Sequence, residues 1–187
     1  MNETNLIRTF CDAAEAVGAE ILRPAGSEQA LGMIRELATG PVALPAFPSG
    51  ERLGLAAGLA GLGIELLTGD LRAGAAAAAL GITGVNFALA ATGTLVLEST
   101  PEPIRLASTL PERHVALLDP KKIIPDLVAA TPLLRQFHQQ QPQNYLAYIT
   151  GPSRTADIER VLTIGVHGPK ELYILLLEGL SDDPLEM

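Results

Sequence analysis

Ala19-Glu20-Ile21-Leu22-Arg23-Pro24-Ala25-Gly26-Ser27-Glu28-Gln29-Ala30-Leu31-Gly32-Met33-Ile34-Arg35-Glu36-Leu37, running on to Val42-Ala43-Leu44, reads as strand, helix and strand in succession. Ala19 to Leu22 is a short apolar run before Pro24. Ser27 offers a helix N-cap, and Ala30, Leu31, Ile34 and Leu37 then recur at helical spacing. Upstream, Leu6, Ile7, Phe10, Ala13, Ala14 and Val17 mark another amphipathic helix, ended at Gly18, where a left-handed cap costs little. Downstream, Ser49 is expected to cap a helix turning Leu53, Ala56, Ala57, Ala60 and Leu62 toward a sheet, with Ile64 to Leu67 as the next strand. Such alternation is the mark of βαβ units. The expected fold class is therefore α/β, an open, mainly parallel twisted sheet flanked by helices.

Further along, the alanine run Ala75 to Ala79 has strong helix propensity and so little side-chain volume that a neighbouring backbone can approach closely. Val85 to Ala90 and Thr94 to Leu97 suit two strands joined at Thr92-Gly93, a β-hairpin near 85–98 inside the α/β sheet. Val115 to Leu118 is a further strand, Ile123 to His138 a helix interrupted or restarted at Pro132, and Tyr145 to Ile149 and Leu172 to Leu177 two more buried strands. The polar connector Gln139-Gln140-Gln141-Pro142-Gln143-Asn144 is too short to divide domains, so residues 1–187 are expected to form one domain.

Composition narrows the function. Thirteen Lys and Arg stand against 21 Asp and Glu, a net charge of −8, which argues against the broad phosphate-neutralising surface of a nucleic-acid binder. The single cysteine, Cys11, has no intrachain partner for a disulfide, zinc site or iron–sulfur cluster, and fits a reducing cytoplasm. No basic region precedes an apolar run at the amino terminus, so no secretory signal is expected. Ala73 through Leu97 carries no charge, but its glycines, threonines and Asn86 argue for a soluble core and against a membrane span.

Three stretches carry a resemblance. They are Ile82-Thr83-Gly84-Val85-Asn86-Phe87-Ala88-Leu89-Ala90-Ala91-Thr92-Gly93-Thr94-Leu95-Val96-Leu97, then Leu110-Pro111-Glu112-Arg113-His114-Val115-Ala116, then Gly151-Pro152-Ser153-Arg154-Thr155-Ala156-Asp157-Ile158-Glu159 with the later Val166-His167-Gly168-Pro169. Together they resemble the LUD domain of the lactate utilization protein C family, densely from about Gly81 to Leu177. The resemblance implies a fold related to the sugar-phosphate isomerase and coenzyme A transferase group. It also implies a part in oxidising L-lactate to pyruvate beside iron–sulfur cluster proteins, which would hold the redox centre, so that this chain needs no cofactor of its own. Two departures stand out: Ala91 replaces the acidic residue that commonly precedes Thr-Gly-Thr in the family, and the amino-terminal region is shorter than usual.

Gly151-Pro152-Ser153-Arg154-Thr155 has the donors for an anion: backbone N–H groups, two hydroxyls and a guanidinium. The same residues also suit an N-cap on Ala156 to Val161, with Arg154 paired to Asp157 or Glu159. Thr92, Gly93 and Thr94 either present hydroxyls and close-approach backbone to a ligand or simply turn a hairpin. His167, beside Gly168 and Lys170, has the titration range of an acid, base or ligand donor. Arg105 either completes an anion pocket with Arg154 or is solvated. These groups are expected to converge at the carboxyl edge of the sheet. His114 reads as a strand-edge residue making a backbone hydrogen bond and His138 as an exposed helix-end residue. The three histidines lack metal-site spacing.

Asp157 and Glu159 are two apart, so on a helix they do not form an acid–base pair. Dinucleotide, nucleoside-triphosphate and serine-hydrolase motifs are absent. Two readings follow. One is an accessory subunit of a cytoplasmic L-lactate utilization system binding iron–sulfur partners and a small anion; the other is a stand-alone enzyme on a phosphorylated sugar, a folate or a coenzyme A thioester.

Overall fold

Short apolar runs closed by glycine, proline or a helix cap leave the chain few choices, and most become strands stacked side by side. A computed structural model describes residues 2–140, 143–155 and 163–187. In chain order the elements are α1 (Glu3–Ala16), β1 (Glu20–Leu22), α2 (Ser27–Leu37), β2 (Val42–Ala43), α3 (Pro48–Arg52), α4 (Leu55–Gly61), β3 (Leu66–Leu67), a 3-10 turn (Ala75–Ala77), β4 (Leu80–Gly84), β5 (Phe87–Leu89) and β6 (Thr94–Glu98). There follow α5 (Glu102–Thr109), β7 (Arg113–Leu118), β8 (Ile123–Ile124), α6 (Thr131–Gln140), β9 (Leu146–Ile149), β10 (Arg154–Thr155), β11 (Thr163–Ile164) and β12 (Glu171–Leu176).

The main sheet has the order β1-β12-β7-β4-β2-β3, and every neighbouring pair is parallel. The parallel α/β reading is borne out. The centre of this sheet is apolar on both faces, as expected where helices cover it: Leu80, Ile82, Val115, Leu117, Ile174 and Leu175 are all buried. Burial of one such side chain stabilises by roughly 1.5–3 kcal/mol. On one face α5 packs over β4 and β7. There Ala43, Gly81 and His114 lie side by side in register, and Ala43 clusters with Ala107 of α5 and with Ala75 and Ala78. The alanine run does allow close packing, but as one 3-10 turn leading into β4.

Several expectations are corrected. The hairpin belongs to a second, four-stranded sheet, β8-β5-β6-β9, in which β5 and β6 are antiparallel. The central strand β4 carries a weak strand pattern because Gly81 and Gly84 interrupt it; the structure needs Gly81 because a Cβ there would overlap the Ala107 carbonyl. Ile123 and Ile124 pair with Ala88 and Leu89 as β8, so the expected helix begins only at Thr131, with Pro132 in its first turn. The helix after Ser49 breaks at Gly54, whose φ is 64°, and the segment buries Leu55 and Leu59 while Ala56, Ala57, Ala60 and Leu62 face outward. Ser27 is the first helical residue and makes no capping bond; Gly26 holds the cap position, and the Gln29 side chain accepts from the Ala25 N–H at 2.7 Å. The strand ending at Ile149 lies at a sheet edge and is only half-buried. Gln141 and Pro142 of the polar connector, and Asp157, Glu159 and the segment Ala156 to Val161 that an N-cap would start, fall outside the described residues.

Candidate functional site

Helix α1 ends in a cluster of close backbone approaches. Gly18 turns left-handed at φ 88°, as expected of a helix stop, and the Arg154 guanidinium donates to the Val17 carbonyl beside it. A cation on a terminal carbonyl is the favourable arrangement at that end of a helix. Gly151 and Gly93 press against the same turn: a Cβ on Gly151 would overlap the Val17 carbonyl oxygen, and one on Gly93 would overlap the Ala14 nitrogen. Both have positive φ, 73° and 62°.

A chain of hydroxyls joins the two loops. Thr92 Oγ1 lies 2.7 Å from Thr94 Oγ1, which lies 2.8 Å from Thr150 Oγ1. Thr94 is buried, so its hydroxyl depends on these partners. Thr150→Val is expected to destabilise by about 1 kcal/mol, read as a lower urea midpoint with an unchanged slope.

Beside this turn lies a hollow of about 450 Å³ bordered by Thr150, Gly151, Ser153, Arg154, His167 and Gly168. Its two loops are clipped together by the Ser153 N–H on the Pro169 carbonyl at 2.8 Å and the Gly165 N–H on the Ser153 carbonyl at 2.9 Å. Five of the ten expected residues, Gly151, Ser153, Arg154, His167 and Gly168, therefore border one hollow. Thr92, Gly93 and Thr94 connect to it through Thr150. Thr155 pairs with Thr163 across β10 and β11. Arg105 stands apart: its Nη1 donates to the Ser99 and Thr100 carbonyls, both at 2.5 Å, and its guanidinium lies 5.4 Å from the Tyr145 ring centre.

The hollow is at the amino edge of the parallel sheet because, of its lining residues, His167, Gly168 and Pro169 lead into β12 and Ser108 and Thr109 come just before β7. The expected carboxyl-edge position is corrected. The carboxyl edge has its own hollow of about 710 Å³, bordered by Arg23, Gly26, Ser27, Arg52, Pro120 and Glu178. The sequence signal for it is the Pro24-Ala25-Gly26-Ser27 loop after β1, whose residue types equally suit a helix start.

His114 is fully buried, with Nε2 2.8 Å from Thr83 Oγ1 and with no partner for Nδ1 among the described residues. It is a core residue under α5, not a strand-edge group on backbone, and burial pushes its pKa down to about 4. His138 is exposed in the last turn of α6, as expected. Cys11 is buried and free, and burial pushes its thiol pKa up. Among the described residues no three His, Cys, Asp or Glu side chains group to hold a metal, and no helix is long and apolar enough to cross a membrane.

A sequence profile of the LUD domain matches residues 7–177. The chain belongs to the LUD domain family. Lactate utilization protein C of Anoxybacillus flavithermus is 39% identical over 100 residues, 53% of this chain and 44% of that protein. The protein of the same name from Bacillus subtilis is 40% identical over 100 residues, 52% and 42% of the two chains. The aligned region thus spans less than half of these relatives. A crystal structure of a DUF162 family protein from Deinococcus radiodurans superposes with a TM-score of 0.67 at 18% identity, covering 94% of this chain and 98% of that one. That likeness establishes the LUD fold. The profile match ends where β12 has just closed, so residues 178–187 of this LUD domain lie outside it.

Proposed function

We propose that this LUD domain is an accessory subunit of a cytoplasmic L-lactate utilization system, acting with iron–sulfur cluster proteins that carry the electrons. The observation that carries the reading is the likeness to lactate utilization protein C at about two identical residues in five across half the chain. The amino-edge hollow supports it. One Arg154 N–H is spent on the Val17 carbonyl, and a guanidinium has five, so donors remain for a small carboxylate beside the hydroxyls of Ser153 and Thr150 and the His167 ring. Tyr148, which borders the hollow, and Ile164 and Val166 on the strand and loop next to Arg154 and His167 are 47%, 49% and 50% exposed, apolar surface suited to a partner protein.

The reading has two separable tests. Affinity capture of the full chain from cells grown on L-lactate should bring down iron–sulfur proteins, and Tyr148→Asp with Val166→Asp should reduce that yield at least tenfold. A clean deletion strain should stop growing on L-lactate; undiminished growth would overturn the assignment. For the anion, L-lactate or pyruvate should raise Tm in the wild type and not in Arg154→Ala, and an equal shift in both would remove this hollow from the reading.

A further inference from the structure

After β12 the chain does not leave the fold. Residues 178–187 turn back over the carboxyl edge of the parallel sheet, held first by Asp119, whose Oδ2 accepts from the Leu180 and Ser181 N–H groups at 2.9 and 3.3 Å. Arg52 adds a second tether, donating to the Leu180 carbonyl at 3.0 Å and meeting Glu186 Oε1 at 2.5 Å. Ser181 Oγ donates to the other Glu186 oxygen at 3.0 Å.

Leu185, Glu186 and Met187 present consecutive main-chain oxygens to three donors from three different loops. Asn86 Nδ2 donates to Leu185 O at 3.2 Å, Lys122 Nζ to Glu186 O at 2.7 Å, and the Ser49 N–H to Met187 O at 3.0 Å. Asn86 follows β4, Lys122 follows β7 and Ser49 follows β2, so all three stand at the carboxyl ends of adjacent parallel strands. Gly84 makes the seat possible, since a Cβ there would lie 2.7 Å from Met187 Cγ and 2.8 Å from Ser49 Oγ.

The seat is poorly matched to what fills it. Lys122 is 2% exposed; among the described residues its one other acceptor is the Val85 carbonyl at 3.4 Å, and no carboxylate oxygen comes within 4.0 Å of its ammonium. Neutral carbonyls compensate a buried cation weakly. Ser49 Oγ is also buried, at 2% exposure, and has no partner at all among the described residues. A buried ammonium held by neutral carbonyls and an idle hydroxyl, both at the carboxyl edge of a parallel sheet, are the equipment of a ligand site.

We propose that Lys122, Asn86 and Ser49 form a binding site for a small monocarboxylate, which residues 185–187 fill in cis as a displaceable strap. The carboxylate oxygens replace the Glu186 carbonyl and the Met187 main-chain oxygen, giving Lys122 an anionic acceptor and Ser49 Oγ a partner. A single charge suits the place, because Asp119, Asp183 and Glu186 already bear on Lys122 and would repel a dianion. The ligand's apolar part has a neighbouring hollow of about 470 Å³, walled by Phe47, Ile104 and Phe137, whose rim also carries Glu98, Asp183 and Glu186 and so bars a second negative charge. This site is separate from the amino-edge hollow and stands or falls without it.

Acetate and L-lactate are the probes, inorganic phosphate the dianion control, and the full chain the sample. Saturating monocarboxylate should speed amide exchange at least tenfold at Leu185 and Glu186, the strap residues whose N–H groups donate to Asp183. Arg52→Ala, which frees the strap, should bind acetate about fivefold more tightly, since a partly exposed tether holds the closed form by about that factor. Lys122→Met should abolish binding, Ser49→Ala should weaken it severalfold, and Arg154→Ala should leave it intact. Unchanged exchange at saturation, equal affinity in Ser49→Ala, or phosphate binding as tight as acetate would each overturn the proposal. The first two readings do not depend on the Lys122→Met protein folding.

Discussion

Gly81→Ala is expected to lower the melting temperature by roughly 6–12 °C, from a loss of about 3 kcal/mol. The added Cβ would overlap the Ala107 carbonyl oxygen and lie 2.8 Å from its carbon and 3.0 Å from Pro111 Cγ. Neither side has room to yield. β4 is pinned by β7 on one flank and β2 on the other, so the strand cannot retreat without breaking two ladders. The obstacle on the helix side is backbone, which moves only if α5 lifts off Ala43, Leu71 and Ala75. The internal comparison is Gly32→Ala in α2, where nothing lies within 4 Å of the new methyl. That substitution should stabilise by about 0.5–1 kcal/mol through helix propensity alone. Calorimetry of both variants checks the pair; an unchanged melting temperature for Gly81→Ala would mean that α5 does not rest on β4 as described.

The same glycine shows what could be read from residues alone. Strand–helix alternation before Leu67 was legible because each run is bounded by local punctuation, and the parallel sheet follows from it. β4 was not legible, since the constraint on Gly81 comes from Ala107, a neighbour in space and not in sequence. β8 was lost for a related reason: Ile123 and Ile124 fit a helix pattern until pairing with Ala88 and Leu89 extends them. At the candidate site, Gly151, Ser153, Arg154, His167 and Gly168 border one hollow. The edge on which that hollow opens was misjudged, because it is set by strand direction after β11. Arg154 illustrates the limit most directly, since the carbonyl that it meets is 137 residues away. The strap at 185–187 left no signal in the sequence, as its acceptors are backbone carbonyls that any residues would supply.

Acid should destabilise this protein through His114 before any carboxylate contributes. Burial holds the imidazole neutral in the fold, with a pKa of about 4 against 6.5 for an unperturbed histidine. The unfolded chain therefore binds more protons between those values, and stability falls as pH falls through that window. Above the unfolded value the contribution is fully present. Between pH 7 and pH 5 the loss is about 2 kcal/mol, or roughly 4–8 °C in melting temperature. The carboxylates do not confuse this window. Glu112, hydrogen-bonded by Lys170, Glu171, hydrogen-bonded by Tyr173 and Arg113, and Glu186, hydrogen-bonded by Arg52, are all held below their ordinary range, so what they contribute is lost only at lower pH. Cys11, raised by burial, acts only on the alkaline side. Urea unfolding at pH 7, 6 and 5 should show the slope in the wild type and a nearly flat line in His114→Gln, which retains an amide for Thr83 Oγ1 without a titrating ring. A slope that survives in His114→Gln would place the acid sensitivity elsewhere and leave the lone Nδ1 under α5 without energetic consequence.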